Sequence, residues 1–453
     1  MRKIGTLKVK SSQEIAHSRV GVGFECLDRD LFTPEKCYDL AAKSGAKYVR
    51  VQTGWARCET VKGKYDFAWL DDIVDNLLKR NMIPWFNVGY GNPIYMPDAP
   101  NSTAVGCVPL LYGEAVTDAW LAYTEALAQH FEGRITHFEI WNEPDISHFW
   151  YPGKPNALQL AQLIKLTGNV IRQKIPTAKI GTCTSNSSLD YLHLLFAGLN
   201  KEEIDFYCLH NYDRFPEHSP RMARLEIIKE LLKAHDLQHV ELWMGEGGHA
   251  SWHPVGHGQC KEGGGSERRQ AVWHLRRFFL DLEADLKLTS LFMIVDLWEK
   301  PYEKAKEVLS KPAAHGILNG ITYTPKKSYE TLGYASAVLS GNCKVVPRFA
   351  DVLPKNDTPI RCICFSVNGK NVLAYWQETP IEEERVEPEQ CTRVVFSPLK
   401  RFTDPVLVDM FTGEVFEIRE GEELGEDPYK DLVIGEYPRL LCERDTFEIV
   451  SSR

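Results

Sequence analysis

The chain has 453 residues, 43% of them hydrophobic and 25% charged, which is the composition of a globular protein rather than a disordered or fibrous one. Its formal net charge of −9 argues against binding to nucleic-acid backbones, and its 12 cysteines, which form no zinc-type CxxC pair, fit free thiols in a reducing compartment. Residues 1–10 lack the apolar run of a signal peptide and no later run reaches membrane-spanning length, so we expect a cytoplasmic protein without a membrane segment.

Short apolar strands alternate with amphipathic helices from about residue 20 to residue 340. The predicted strands are Val20–Glu25, Tyr48–Val51, Ile83–Val88, Ile135–Trp141, Lys179–Cys183, Phe206–His210, Val240–Met244 and Ser290–Val295. The helices between them include Asp66–Arg80, Ala157–Lys174 and Ser266–Leu282. Eight apolar strands with helical crossovers predict the α/β class and a (β/α)8 TIM barrel, whose active sites lie at the C-terminal ends of the strands.

The pattern changes after a last predicted helix at Tyr334–Ser340. About seven short strands follow between turn residues, and Val367-Asn368-Gly369-Lys370 is typical of a β-hairpin. We therefore expect a catalytic barrel at residues 18–340 and a C-terminal antiparallel β-sandwich at residues 341–453. Residues 1–17 are candidates for an additional strand of that sandwich.

Two predicted strands end in a glutamate. Glu143 follows Phe138-Glu139-Ile140-Trp141-Asn142 and precedes Pro144, and Glu246 follows Val240–Met244 and precedes two glycines. Proline cannot continue a central ladder, so we expect the first strand to stop at Glu143. Because the strands run parallel, both carboxylates are expected at the same rim of the barrel.

A pair of carboxylates at a barrel rim suits the cleavage of glycosidic bonds. One protonates the departing oxygen, and the other attacks the anomeric carbon or activates water. Glu143, among aromatic residues, is expected to be the general acid, because apolar surroundings favour the protonated form. Glu246 must stay ionised to act as the nucleophile, which requires hydrogen-bond donors or positive charge nearby.

Five further residues are candidates for substrate binding or support of the nucleophile. They are Arg50, Asn142, His210, Tyr212 and Trp298, each at or just after the end of a predicted strand. Arg50 equally suits a structural salt bridge under the barrel, and His210 with Tyr212 could form a buried core pair. Trp298 suits stacking on a sugar face, with plugging of the barrel top as the alternative.

These motifs resemble glycoside hydrolase clan A. The Trp141-Asn142-Glu143-Pro144 motif, His210-Asn211-Tyr212 and Glu246 are most similar to family 39 and its relatives. The resemblance implies a retaining double displacement, with Glu143 as acid/base and Glu246 as nucleophile. It also implies that Asn142 contacts the sugar 2-hydroxyl and that Tyr212 and Arg50 contact Glu246.

The expected function is a retaining, exo-acting β-glycosidase that hydrolyses short oligosaccharides or glycosides and is β-xylosidase-like. The β configuration comes from the resemblance, and the exo action from the expected cytoplasmic location. There are three alternatives: a transglycosylase using the same intermediate, a carbohydrate-binding pseudoenzyme and a metal-dependent barrel hydrolase. The expected partner is a carbohydrate substrate, with no cofactor or metal and with homo-oligomerisation left open.

The segment after Glu246 carries His249, His253, His257 and Cys260. Their residue types suit a metal, but a long loop after a catalytic strand is more typical of a subsite wall or lid. Glu25, Asn87 and Trp55 are further candidates for sugar contacts, on the condition that their side chains face the pocket.

Overall fold

The computed structural model describes residues 1–186, 188–253, 263–297, 313–381, 389–390, 393–396, 401–418 and 429–451. Within these residues the strands, in chain order, are β1 (Arg2–Leu7), β2 (Val20–Gly23), β3 (Tyr48–Gln52), β4 (Ile83–Val88), β5 (His137–Ile140), β6 (Lys179–Thr184), β7 (Phe206–Asn211), β8 (Glu241–Gly247), β9 (Thr289–Leu291), β10 (Cys343–Val345), β11 (Ala350–Leu353), β12 (Ile360–Val367), β13 (Lys370–Gln377), β14 (Glu389–Gln390), β15 (Arg393–Phe396), β16 (Pro405–Asp409), β17 (Glu414–Glu417), β18 (Val433–Ile434), β19 (Arg439–Glu443) and β20 (Ile449–Ser451). The α-helices are α1 (Tyr38–Lys43), α2 (Trp55–Cys58), α3 (Ala68–Lys79), α4 (Glu114–His130), α5 (Ala157–Lys174), α6 (Leu189–Ala197), α7 (Pro220–Ala223), α8 (Leu225–Ala234), α9 (Glu267–Glu283) and α10 (Lys327–Val338).

Strands β2 to β9 form a closed barrel. Neighbouring strands are parallel, and β9 returns to pair with β2 through Val20↔Thr289 and Val22↔Leu291. Helix α3 shows why the outer layer packs on these strands, since it buries Leu70, Ile73, Val74 and Leu77 at spacings of three and four residues. The predicted TIM barrel is confirmed, and so is the expectation that its strands are covered on both faces.

The C-terminal region is built on an eight-stranded antiparallel sheet, in the order β10-β12-β13-β19-β16-β17-β1-β20. Two smaller sheets, β11-β15 and β14-β18, accompany it. Alternate residues of the large sheet enter different cores: Phe365 and Val372 join the core that includes the barrel, whereas Cys364 and Leu373 pack with Val352 of β11. The predicted C-terminal antiparallel region is confirmed, and the central strands of its large sheet, such as β13 and β16, are buried on both faces.

Helix α9 joins the barrel to this sheet. The guanidinium of Arg276 donates hydrogen bonds to the backbone oxygens of Glu436, Thr379 and Gln377 at 2.6, 2.9 and 3.1 Å. The ring of Phe279 on the same helix lies 6.0 Å from that of Phe365 on β12. Polar and apolar contacts therefore fix the sheet against one side of the barrel.

None of the described helices combines the length and the apolar character needed to cross a lipid bilayer.

Candidate active site

Glu143 and Glu246 lie together at the C-terminal rim of the barrel. Glu143 follows β5 and is 9% exposed, and Glu246 belongs to β8 and is 7% exposed. One carboxylate oxygen from each residue and one ring nitrogen of His210 all lie within 4.8 Å of one another. The barrel therefore brings together, at its C-terminal rim, two carboxylates and an imidazole that are distant in sequence.

The backbone turns sharply where β5 ends. Trp141 and Glu143 have φ angles of 68° and 44°, a left-handed conformation that is rare for residues other than glycine and concentrates at functional sites. The ladder ends at Ile140, so the strand stops before Trp141 rather than at Glu143 as the proline had suggested. Cys183 Sγ accepts a hydrogen bond from the Glu143 amide at 3.2 Å and helps to fix the turn.

Both oxygens of Glu246 accept hydrogen bonds from other parts of the barrel. Arg50 Nη1 on β3 donates to Oε2 at 2.5 Å, and the Tyr212 hydroxyl, just after β7, donates to Oε1 at 2.5 Å. Burial and the charge of Glu246 hold the pKa of Tyr212 well above its ordinary value, so this phenol remains a donor. A guanidinium and a hydroxyl donor therefore hold the two oxygens of this carboxylate in place.

Arg50 is itself fixed from below by Glu139, which the motif analysis had not singled out. Glu139 Oε1 and Oε2 accept hydrogen bonds from Arg50 Nη2 and Nε at 2.6 and 3.0 Å. Trp85 Nε1 and Asn87 Nδ2 also donate to this carboxylate, at 3.1 and 3.2 Å. Burial would raise the pKa of Glu139, but Arg50 outweighs it and lowers that pKa. Arg50 thus makes both contacts that the sequence had left open, a buried salt bridge to Glu139 and a contact to Glu246.

Asn142 takes its orientation from the same arginine. Its Oδ1 accepts a hydrogen bond from Arg50 Nη2 at 2.8 Å, and the residue is 4% exposed. With the amide oxygen used in this way, the NH2 group is the part of Asn142 that can donate to a ligand hydroxyl.

His210 connects the two carboxylates. Its Nδ1 lies 2.9 Å from Glu143 Oε1 and 3.8 Å from Glu246 Oε2, and its ring is fully buried. Burial lowers the pKa of His210, but the charge of Glu246 and the hydrogen bond to Glu143 outweigh it and raise that pKa overall. The imidazole is therefore part of the site and not a core partner of Tyr212.

The conditional candidates differ in where their side chains lie. Asn87 contacts Glu139 rather than an open pocket. Trp55 is fully buried in an aromatic cluster with Tyr95 and Tyr123. Glu25 is buried beside Arg50.

With this geometry in place, comparison with known proteins identifies the relationship. The model for "Glycosyl hydrolases family 39" matches residues 34–250, a range that contains both Glu143 and Glu246. The chain is a relative of the family 39 glycosyl hydrolases. The resemblance inferred from the sequence motifs is thereby confirmed.

Three relatives define the extent of the likeness. The β-xylosidase of Geobacillus stearothermophilus is 26% identical over 170 residues, which are 34% of this chain and 31% of the relative, so the match spans about a third of that protein. A family 39 glycoside hydrolase from Bacteroides cellulosilyticus WH2 has a TM-score of 0.67 at 16% identity, over 96% of this chain and 82% of its own. A family 30 subfamily 8 xylanase from Clostridium acetobutylicum has a TM-score of 0.59 at 13% identity, over 97% of each chain. At these identities the two structures show that the fold is shared.

The histidine-rich segment of this family 39 relative is only partly described. His257 and Cys260 lie outside the described residues, and so does Trp298. The rings of His249 and His253 pack edge to face, with centroids 5.3 Å apart, and burial lowers the pKa of His249 to about 3. Within the described part of the chain, neither histidine joins two further His, Cys, Asp or Glu side chains in a cluster of ligand atoms within 4.8 Å. These two buried rings are better suited to a wall beside the site than to a metal centre.

Proposed function

We propose that this protein is a retaining β-glycosidase that acts on the ends of short oligosaccharides or glycosides. The observation that carries the proposal is the pairing of Glu143 with Glu246, whose nearest oxygens lie within 4.8 Å, at the rim of a clan A barrel. Retaining enzymes hold their two carboxyl groups about 5–5.5 Å apart, whereas inverting enzymes leave about 6.5–9.5 Å for a water molecule. The short separation supports direct attack by one carboxylate.

The proposed reaction has two steps. Glu246, held by Arg50 and Tyr212, attacks the anomeric carbon while Glu143 gives its proton to the departing oxygen. The carbon–oxygen bond to the leaving group breaks and an ester to Glu246 forms. Glu143 then takes a proton from water, and the water oxygen displaces Glu246 from the anomeric carbon with net retention.

Two neighbouring side chains, and one residue proposed from its place in the sequence, support these steps. His210 contacts Glu143 and holds its carboxyl group close to Glu246. Asn142, oriented by Arg50, presents its NH2 group to the sugar 2-hydroxyl, a bond that gains strength as charge develops on the ring. Trp298 completes the proposal as a stacking platform for the sugar.

The substrate we propose is a β-xyloside or a related short glycoside. The support is the likeness to the β-xylosidase of G. stearothermophilus and the match to the family 39 model. A cytoplasmic location, which we also propose, would limit the protein to imported glycosides and so favour exo action.

The test is a panel of nitrophenyl glycosides in both anomers, with the configuration of the first product followed by proton NMR. We expect one β-glycoside, the xyloside, to be cleaved with release of the β-anomer, which then mutarotates. Glu230→Ala is the matched control, because Glu230 is 75% exposed on α8 and should leave the rate unchanged. First release of the α-anomer contradicts the retaining mechanism, and cleavage of no glycoside favours a carbohydrate-binding protein without activity.

A further inference from the structure

Glu25 is a buried acid for which the proposed reaction has no use. It follows β2 and is 1% exposed, and among the described residues neither of its carboxyl oxygens has a hydrogen-bond partner. An ionised carboxylate without hydrogen bonds is costly in a protein interior, and such groups instead remain protonated or occur at functional sites.

Gly23 creates the space that Glu25 occupies. A Cβ atom added to Gly23 would lie 1.7 Å from Glu25 Oε2 and 2.3 Å from Oε1. The Glu25 side chain therefore folds back along β2 into the volume that a side chain at position 23 would fill. Residues two positions apart in an extended chain point to the same side. Positions 23 and 25 therefore face the same volume, which belongs to the interior of the barrel.

In that position Glu25 lies against the arginine that binds the nucleophile. Glu25 Oε1 is 3.5 Å from Arg50 Nη1, and the same nitrogen is 2.5 Å from Glu246 Oε2. Two carboxyl groups thus face one guanidinium nitrogen, and the shorter contact belongs to Glu246. Among the described residues, the Cys26 thiol and the Tyr212 phenol also interact with the charge of Glu25, and burial raises the pKa of both groups.

Burial, together with the charge of Glu246, favours a protonated Glu25. Burial raises the pKa of Glu25, Arg50 lowers it, and the charge of Glu246 raises it further, to about 8. Glu139 and Glu246 each bind Arg50 directly. An ionised Glu25 would be a third carboxylate at the same guanidinium.

We propose that Glu25 is a positioning residue for the nucleophile, held as a neutral acid at neutral pH so that Arg50 Nη1 binds Glu246 alone. When Glu25 loses its proton to solvent at alkaline pH, its carboxylate competes with Glu246 for that nitrogen and draws Arg50 away. The inference rests on the proposed function, since it assigns Glu246 the role of nucleophile. Ionisation of Glu25 is then one cause of the loss of activity at alkaline pH.

The proton on Glu25 can be observed without any activity. Infrared difference spectra between the wild type and Glu25→Gln should contain a protonated-carboxyl band at pH 6 that disappears with a midpoint near pH 8. Glu230→Gln, which changes an exposed acid, is the matched control and should give no such band at pH 6. A wild type without the band at pH 6 contradicts the proposal.

A second variant keeps the test decisive if Glu25→Gln does not fold. Gly23→Ala retains the carboxyl but removes its space, so the band should be lost or should titrate at least one pH unit away from its wild-type midpoint. An unchanged band and midpoint in Gly23→Ala would show that the carboxyl does not lie where the structure has it.

The kinetic readout uses an aryl glycoside whose leaving group needs no proton, so that ionisation of Glu143 does not limit the rate. One unit above its pKa only about a tenth of Glu25 remains protonated. The ratio of kcat/KM at pH 9 to kcat/KM at pH 6 should therefore be about tenfold higher in Glu25→Gln than in the wild type. Equal ratios in the two proteins overturn the positioning role. Cleavage of no glycoside by the wild type contradicts the proposed function instead, and the infrared titration still determines the state of Glu25.

Discussion

Arg50 is the residue that connects the floor of the barrel to the reacting groups. Its guanidinium donates to Glu139 below, to Glu246 above and to Asn142 at the side, and it is fully buried. A lysine could not reproduce this arrangement, because an ammonium group lacks the planar fork that serves several acceptors in fixed directions. The orientation of the proposed nucleophile and of the proposed 2-hydroxyl contact therefore depends on one side chain.

Glu139→Gln tests the lower half of this network through stability. Arg50 lowers the pKa of Glu139 against the opposing effect of burial, so the carboxylate contributes stability above its ordinary pKa of 4.5 and loses it as the pH falls through the lower folded-state value. Removing one partner of a buried ion pair costs about 3–5 kcal/mol. We expect a loss of about 3 kcal/mol in the free energy of unfolding at pH 7.

Urea unfolding at pH 7 and at pH 3 provides the measurement. The difference between the wild type and Glu139→Gln should narrow at pH 3, because this pH lies below the ordinary pKa of 4.5 and the charged contact then contributes less to the free energy of unfolding. Glu230→Gln should be neutral at both values, since its side chain is exposed. A difference of the same size at both pH values would contradict the charged contact between Glu139 and Arg50.

The sequence indicated several residues of this site, but it missed Glu139 and gave Glu25 only as a candidate sugar contact, for a physical reason. Glu143 and Glu246 were recognisable because each ends an apolar run next to a turn residue, and the structure brings Arg50, Asn142, His210 and Tyr212 to them. Glu139 lies inside a strand and Glu25 folds back over Gly23. Their importance depends on the barrel placing Arg50 beside them, and no local pattern reports that contact.

At the scale of single elements, apolar runs located the barrel strands well but their ends less well. Strand β4 and helix α5 have the predicted bounds, Ile83–Val88 and Ala157–Lys174. Strand β9 is confined to Thr289–Leu291, although the apolar run continues to Val295, because β8 and β2 pair with it only over these residues. Hydrophobicity marks burial, whereas the end of a strand is set by the neighbour with which it pairs.

The hairpin between β12 and β13 is an element whose turn follows from its residues. Asn368 and Gly369 have φ angles of 51° and 86°, as a two-residue turn of the primed type requires, and the predicted hairpin is confirmed. A Cβ atom at Gly369 would meet no atom within 4 Å, so a substitution there tests backbone conformation without a steric clash.

Gly369→Ala should lower the free energy of unfolding by about 1 kcal/mol, because alanine is strained at positive φ. Gly369→Asn is the matched control and should cost less, since asparagine tolerates the left-handed region. Thermal or urea unfolding of the three proteins provides the comparison. Equal stability of Gly369→Ala and the wild type would contradict the turn conformation.

At the scale of the whole molecule, the two ends of the chain meet in one sheet. Strand β1 lies between β17 and β20, with Lys3 opposite Phe416 and Thr6 opposite Val450. The sequence made residues 1–17 a candidate strand, but it could not name the partners, because pairing across more than four hundred residues leaves no local signal. The C-terminal sheet is therefore completed only when the chain start returns to it.

The contact between this sheet and the barrel is also a property of the whole molecule. Arg276 binds three backbone oxygens of the C-terminal region, yet in the sequence it is one of several basic residues on an amphipathic helix. The composition of α9 predicts a helix and a buried face. It does not predict that an arginine, one of the most polar side chains, lies on that face.

The central claim is that Glu246 forms a covalent bond to the sugar, and the most direct test is chemical rescue of Glu246→Ala. With the nitrophenyl β-glycoside that the wild type cleaves, the variant should lose activity by at least about a thousandfold. Added azide fills the space of the lost carboxylate, attacks from the same side and should restore release of nitrophenol with an α-glycosyl azide as the product. Full activity of Glu246→Ala, or a β-glycosyl azide as its product, would contradict the assignment of Glu246 as nucleophile.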